Sequence, residues 1–212
     1  MSGADTAPVS PMRIFGDLGS GNCLKVKYTC DRLALPYTWT PVDILKGETR
    51  LPEFLARSPM GQVPVVEFAD GRALAQSNAI IRYLARGSAL LPADPFTAAK
   101  IDEWLFWEQY SHEPYVAVAR FHMRYLGKSA ASREPKIVER GEKALDLMER
   151  QLSGKTFLVG GALSIADISL LAYTRLAGEG GFALTPRANV RAWIARCDRE
   201  LGLAPLTARK DH

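Results

Sequence analysis

What this 212-residue sequence lacks already narrows its class. It has three cysteines, Cys23, Cys30 and Cys197, an odd number with no CxxC pair, so a disulfide framework is excluded. Cys23 and Cys30 would stand about 10.5 Å apart along one helix, too far to bridge. Reduced thiols in a cytoplasmic protein are the expectation. Histidine is equally scarce; His112 and His122 have no third ligand at metal-motif spacing, so no metal is expected. No stretch of roughly 18 consecutive apolar residues occurs, so no membrane span is expected. Blocks of like charge are missing too. The 27 basic and 23 acidic residues are scattered and give a net charge of only +4, which argues against a nucleic-acid surface. Internal repeats and low-complexity tracts are absent.

What is present is enough apolar sequence, 47%, to bury a proper core. Residues 1–11 are small, polar and proline-containing, and read as a disordered lead-in without a signal peptide's apolar run. From Met12 to about Arg86 short strands and helices alternate. Met12 to Phe15 reads as a strand, and Cys23, Val26, Cys30 and Leu33 mark one buried helix face before Pro36 stops it. Tyr37 to Thr40 reads as a strand, Gly47 to Arg57 as a short helix or irregular segment, and Val63 to Phe68 as a strand. Ala69-Asp70-Gly71 turns the chain into a partner strand near Ala73, and Ser77 opens a helix through Ala85. The order is βαβαββα, a small mixed sheet with helices on its faces.

Residues 87–95 hold glycine and two prolines and read as a linker. Over 96–212 the strand pattern stops and the rest reads as an all-helical domain. A long helix runs from Phe96 to about Leu126, with a kink expected one turn before Pro114. Further helices are expected over Ser132 to Leu152, from Ser164, and through Val190, Trp193 and Ile194.

The chemistry concentrates between Ile14 and Val26, where a strand passes through a turn with three glycines into a helix. Ser20, Asn22 and Cys23 fall where that helix begins, and its first N–H groups lack internal partners and favour an anion. Nucleotide motifs do not fit this turn. Gly16-x-x-x-x-Gly21 has the spacing of a P-loop, but Asn22 and Cys23 stand where Lys and Ser/Thr are required. A dinucleotide fingerprint would need glycine at Leu24.

Three local features, Ser20-Gly-Asn22-Cys-Leu-Lys25-Val, Ser58-Pro-Met-Gly-Gln62-Val63-Pro64 with Leu74-Ala-Gln76-Ser77-Asn78, and Ser164-Ile-Ala-Asp167, together resemble the soluble glutathione transferases, most of all bacterial theta- and nu-like classes. The likeness runs from Met12 to about Leu206. It implies an α/β thioredoxin-like N-terminal domain followed by an all-α C-terminal domain, glutathione as co-substrate, and a homodimer.

The resemblance also assigns residues. Ser20 matches the catalytic serine of theta-like classes, with Asn22 beside the glutathione sulfur as in nu-like proteins, which reduce disulfides with glutathione. Cys23 is an alternative catalytic group, through a mixed disulfide. A plainer reading makes Ser20 a helix cap, Asn22 a turn residue and Cys23 a buried thiol. Val63, ahead of an expected cis Pro64, would pair with the peptide-like backbone of glutathione, and Gln76 and Ser77 would hold its γ-glutamyl end. Where the family commonly has an acid, this chain has Gln76. Lys46, Thr49 and Gln62 would lie near the glycine end, and Phe106, Tyr110, His112, Tyr115 and Arg120 would face a small hydrophobic electrophile or disulfide between the domains. Ser164-x-x-Asp167 reads as a capping box that serves folding, worth about 1 kcal/mol.

The energetics require a donor at the sulfur. A free thiol of pKa ~8.5 is only a few per cent ionised at neutral pH, and lowering that value by about 2 units needs roughly 2.7 kcal/mol. A helix N-terminus supplies about 0.3–1 kcal/mol, and one hydrogen bond to a charged acceptor about 1.5–3. The expected function is therefore activation of the glutathione thiol for attack on an electrophile. Disulfide reduction and a non-catalytic binding or scaffold protein are the alternatives.

Overall fold

The computed structural model describes residues 11–204, so the expected disordered lead-in lies almost wholly outside the described residues. The chain forms two compact units, divided between Leu84 and Ala85.

The first unit contains strands β1 (Met12–Gly16), β2 (Tyr37–Pro41), β3 (Val65–Glu67) and β4 (Ala73–Ala75) and helices α1 (Gly21–Arg32), α2 (Pro52–Leu55) and α3 (Ser77–Leu84). The sheet order is β2-β1-β3-β4, with β1 parallel to β2 and β3 antiparallel to both β1 and β4. Alternation along β1 decides what each face meets. Phe15 packs with Val42, Phe54 of α2 and Val65 on one face. Gly16, on the face opposite to Phe15, lies so close to α1 that a Cβ there would stand 2.9 Å from the Cys23 sulfur. Helices α1 and α2 therefore cover opposite faces of the sheet.

Helix α1 buries Cys23, Val26 and Cys30 completely, as their three- and four-residue spacing requires. It ends at Arg32, ahead of Pro36, with Ala34 at φ +51° and the Leu35 N–H returning to the Cys30 carbonyl at 2.9 Å. The Val63-Pro64 peptide bond is cis.

In the second unit α4 (Pro95–Trp107) begins at Asp94, whose carboxylate accepts the Thr97 N–H at 2.8 Å, with Pro95 at the first helical position. A π-helical turn over Glu108–His112 separates α4 from α5 (Glu113–Arg124). The expected kink takes this form because Pro114 has no N–H to give and its ring would clash with the carbonyl four residues back. Helix α6 (Pro135–Gln151) starts three residues later than expected, after a short 3-10 turn at Ala130–Ser132.

Every residue of α7 (Ile165–Thr174) is buried, which makes it the core helix of this unit. α8 (Ala188–Glu200) follows. Its first turn is tied to α6 through the Glu149 carboxylate, which accepts the N–H groups of Asn189 and Val190 at 3.0 and 2.9 Å. Residues 87–95 are more than a spacer, since Leu90 and Leu91 are buried and the Leu90 carbonyl accepts the Ile165 N–H at 3.0 Å.

Candidate functional site

The turn between β1 and α1 is held by its own polar atoms. The Asp17 carboxylate accepts the Gly19 N–H at 2.7 Å, and the Ser20 N–H returns to the Asp17 carbonyl at 2.9 Å. Ser20 then occupies the N-cap of α1 in extended conformation (φ −83°, ψ 125°), and its carbonyl accepts the Leu24 N–H. Its hydroxyl makes no capping hydrogen bond. The plain reading of Ser20 as a side-chain cap is thus set aside.

Cys23 itself is fully buried, and burial pushes its thiol up to about 12, against smaller opposing contributions from the Asp17 backbone and the Ser20 hydroxyl. It is a packing thiol of α1, set closely against Gly16 of β1. Cys30 is likewise buried and pushed up to about 12 by desolvation.

Asn22, in the first turn of α1, reaches across to α3. The Ser77 hydroxyl donates to Asn22 Oδ1 at 3.0 Å, and Lys25 Nζ stands 3.5 Å from the same Ser77 oxygen. Lys25 is fully buried, an uncommon state for an ammonium, and sits one turn beyond Asn22 on the same helix face. Ser77 is buried and opens α3 directly after Gln76, which holds φ +70°. The exposed Gln76 amide reaches back over the β3 side of the sheet, donating to Gln62 Oε1 at 3.4 Å and contacting Met60 Sδ at 3.2 Å.

Two helix N-termini and one buried ammonium therefore meet at one end of the first unit, with Asn22, Ser77, Gln76 and Gln62 linked by side-chain contacts. Such an end favours anions, a carboxylate or a thiolate, and offers amide donors and acceptors to a peptide-like molecule. Thr49 is buried in a 3-10 turn, and a Cβ on Gly61, beside Gln62, would meet its carbonyl at 3.0 Å. Lys46 is directed elsewhere. Its side chain is 78% exposed and pairs with Asp43 at 3.2 Å.

Of the residues expected to face a second substrate, Tyr110 and Tyr115 line one cleft, and Phe106, His112 and Arg120 do not. His112 is fully buried with Nε2 3.0 Å from Thr174 Oγ1 of α7. Arg120 is also buried and forms an ion pair with Glu179 at 2.8 Å. Both are internal ties of the helical unit. Phe106 and Tyr110 are 75% and 83% exposed. Tyr110 and Tyr115 line a cleft of about 810 Å3 between the π turn and α6, with Trp107, Lys136, Arg140 and Arg150 on its walls.

Asp167, read as a capping residue, does more. Its carboxylate accepts from Ser164 N–H and Oγ, from the Leu158 N–H, and from the Trp193 indole N–H of α8. Sequence reasoning gave Lys25 no role. It lies off the Cys23, Val26 and Cys30 face, and its burial, shared with Thr29 four residues on, is a tertiary result.

Comparison with known proteins points to one family. Residues 19–86 match the family model for the glutathione S-transferase N-terminal domain, and residues 116–196 match that for the C-terminal domain. The chain is similar to the glutathione S-transferase-like protein LUC7 of Fusarium sp, 33% identical over 74% of this chain and 73% of that one. It is also similar to glutathione S-transferase 3 of Zea mays, 29% identical over 87% and 88%. Among solved structures it resembles the glutathione S-transferase of Pseudomonas fluorescens Pf-5 with a TM-score of 0.86 and 49% identity, covering 89% of this chain and 95% of that one.

Proposed function

Because the chain belongs to the glutathione S-transferase family, we propose that the α1–α3 end of its first unit binds glutathione and ionises its thiol for attack on an electrophilic second substrate. The observation that carries this reading is the Ser20 hydroxyl, standing at the N-cap of α1 without capping it. It is the donor that the energetics require, since a helix N-terminus alone falls short of the roughly 2.7 kcal/mol needed for a shift of about 2 units.

In this reading the γ-glutamyl carboxylate takes the first N–H groups of α3 and the Ser77 hydroxyl, with Gln76 beside the ammonium. The Val63 main chain pairs with the cysteinyl residue, and Gln62, Thr49 and Lys46 lie toward the glycine end. Lys46 would have to release Asp43 to take part. The sulfur sits over Ser20 with Asn22 assisting. The thiolate then forms a C–S bond as the leaving group departs with its electron pair. Cys23 is left out of the chemistry, because a thiol held near 12 has almost no thiolate to offer.

A second reading, attack of the same thiolate on a disulfide sulfur as in nu-like proteins, is favoured by Asn22, which is held at this end by Ser77. The exposed rings of Phe106 and Tyr110 are the surfaces we assign to an apolar second substrate. A cytoplasmic homodimer completes the proposal. All three cysteines are free and buried, as in a reducing compartment, and light scattering tests the dimer.

The deciding experiment is an ultraviolet difference titration of glutathione with the protein at neutral pH, for wild type and Ser20→Ala. A thiolate band in wild type that is lost in the variant supports the assignment, because removing one donor to a charged acceptor is worth about 1.5–3 kcal/mol, or about 1–2 pKa units. A band that survives moves the role to Asn22 or the helix. No band in either protein would leave a binding module, and retention on immobilised glutathione would then identify one.

A further inference from the structure

Resting on that reading of the α1–α3 end, we propose that Met60 is a site of oxidation by hydroperoxides, and that its sulfoxide weakens glutathione binding through Gln76. The sequence holds five methionines, Met1, Met12, Met60, Met123 and Met148. Met12 and Met148 are fully buried and Met123 is partly buried on α5, whereas Met60 is 49% exposed. Among the described methionines it therefore offers the most accessible sulfur.

The cysteines do not compete with it. All three are buried, and burial pushes the Cys23 and Cys30 thiols up to about 12, which leaves almost no thiolate for a peroxide to meet. A thioether has no proton to lose, so access decides its reactivity. Its sulfur lone pair attacks the outer oxygen of the hydroperoxide, and an S–O bond forms as the O–O bond breaks. The departing oxygen keeps the electron pair of that bond and takes the proton, leaving as water or an alcohol. The thioether is oxidised to a sulfoxide and the peroxide is reduced.

The consequence lies in what the sulfur touches. Gln76 Nε2 stands 3.2 Å from Met60 Sδ and 3.4 Å from Gln62 Oε1. A thioether is a weak acceptor and the second contact is long, so the amide is lightly held. An N–H···O contact takes about 2.9 Å from nitrogen to oxygen, so an oxygen added to the sulfur has no room between the two atoms as they stand. The main chain is tied on both sides. Gln76 holds φ +70°, and its carbonyl accepts the Ile80 N–H at 2.9 Å as α3 begins. Next to Met60, the Gly61 N–H returns to the Ser58 carbonyl at 2.9 Å, and a Cβ on Gly61 would meet the Thr49 carbonyl at 3.0 Å. The displacement therefore falls on the side chains. The polar sulfoxide holds the Gln76 amide at its new oxygen, away from the place where it serves the γ-glutamyl ammonium.

In the test, native protein is treated with hydrogen peroxide, freed of it by gel filtration and titrated with glutathione by calorimetry. Peptide mass spectrometry locates each added oxygen, and circular dichroism checks the fold. Met60 is expected to gain oxygen before Met12, Met123 and Met148. The Kd for glutathione is then expected to rise about fivefold, the loss of one ordinary hydrogen bond. The same treatment should leave the Kd of Met60→Leu where it was, and should change that of Gln76→Ala little, because the amide that carries the effect is gone. Met60→Gln, which brings a carbonyl oxygen to the same place, should show the raised Kd without oxidant. Met60 left intact while the other methionines react would overturn the proposal. So would an unchanged Kd at full conversion of Met60, or an equal rise in Met60→Leu or Gln76→Ala. A wild type that fails to bind glutathione before treatment would instead overturn the reading of the site itself, whatever becomes of Met60.

Discussion

Replacing Asp167 by asparagine keeps the size and shape of the side chain and removes one acceptor oxygen. The fully buried carboxylate accepts four hydrogen bonds, from the Leu158 N–H at 2.9 Å, the Trp193 indole at 2.9 Å, and the Ser164 N–H and hydroxyl at 3.0 and 2.8 Å. In Asp167→Asn one oxygen can go on serving Leu158 and Trp193, but an NH2 group then faces the Ser164 N–H. A buried donor left without an acceptor costs about 1–3 kcal/mol.

Against that stands a gain, because burial holds the Asp167 carboxyl above the usual carboxylate range and a neutral amide escapes that desolvation. The net expectation is a loss of about 2 kcal/mol, or a fall of roughly 4–8 °C in the thermal midpoint for a chain of this size. Asp167→Ala strands the three buried N–H donors and the Ser164 hydroxyl and removes the capping box, and should cost about 4–6 kcal/mol, a large share of a typical total of about 5–15. Thermal denaturation followed by circular dichroism measures both. An Asp167→Asn protein within ~0.5 kcal/mol of wild type would show that the carboxylate is not what joins α7, α8 and the Leu158 segment.

Other perturbations test other parts of the structure. Cys23 and Cys30 should resist alkylation in the native protein by roughly three orders of magnitude relative to a free thiol of pKa ~8.5, with rates rising about tenfold per pH unit and burst labelling after unfolding. Gly141→Ala should destabilise the helical unit by about 1–3 kcal/mol despite alanine's better helix propensity, because the new Cβ would collide with the buried Phe182 ring; urea denaturation reads the sign. Glu179→Ala leaves Arg120 buried without its ion-pair partner and should cost about 3–5 kcal/mol, whereas Arg120→Met, which removes the buried charge, should cost less. Reversal of that order in denaturation midpoints would refute the account of Arg120 as an internal tie.

The division of labour between sequence and tertiary structure is visible residue by residue. Helical and strand periodicity marked the buried face of α1, the strands of the first unit and the helices of the second, because burial of one face imposes a repeat on the chain itself. Ser164 and Asp167 announced a helix start for the same local reason, and Pro114 announced a break. The three motifs, read together, also disclosed the family.

What periodicity could not supply was the environment of each polar group. His112 and Arg120 look like surface donors in a one-dimensional reading, yet Thr174 and Glu179, distant in sequence, claim them. Ser20 looks like a cap, and only the geometry shows its hydroxyl left out of capping. Lys25 gains its place because α3 brings Ser77 to it across 52 residues of chain. Local pattern is written in the order of residues, because it depends on neighbours a turn or a strand pleat away. Which donor meets which acceptor depends on contacts between distant segments, and those exist only once the chain has packed.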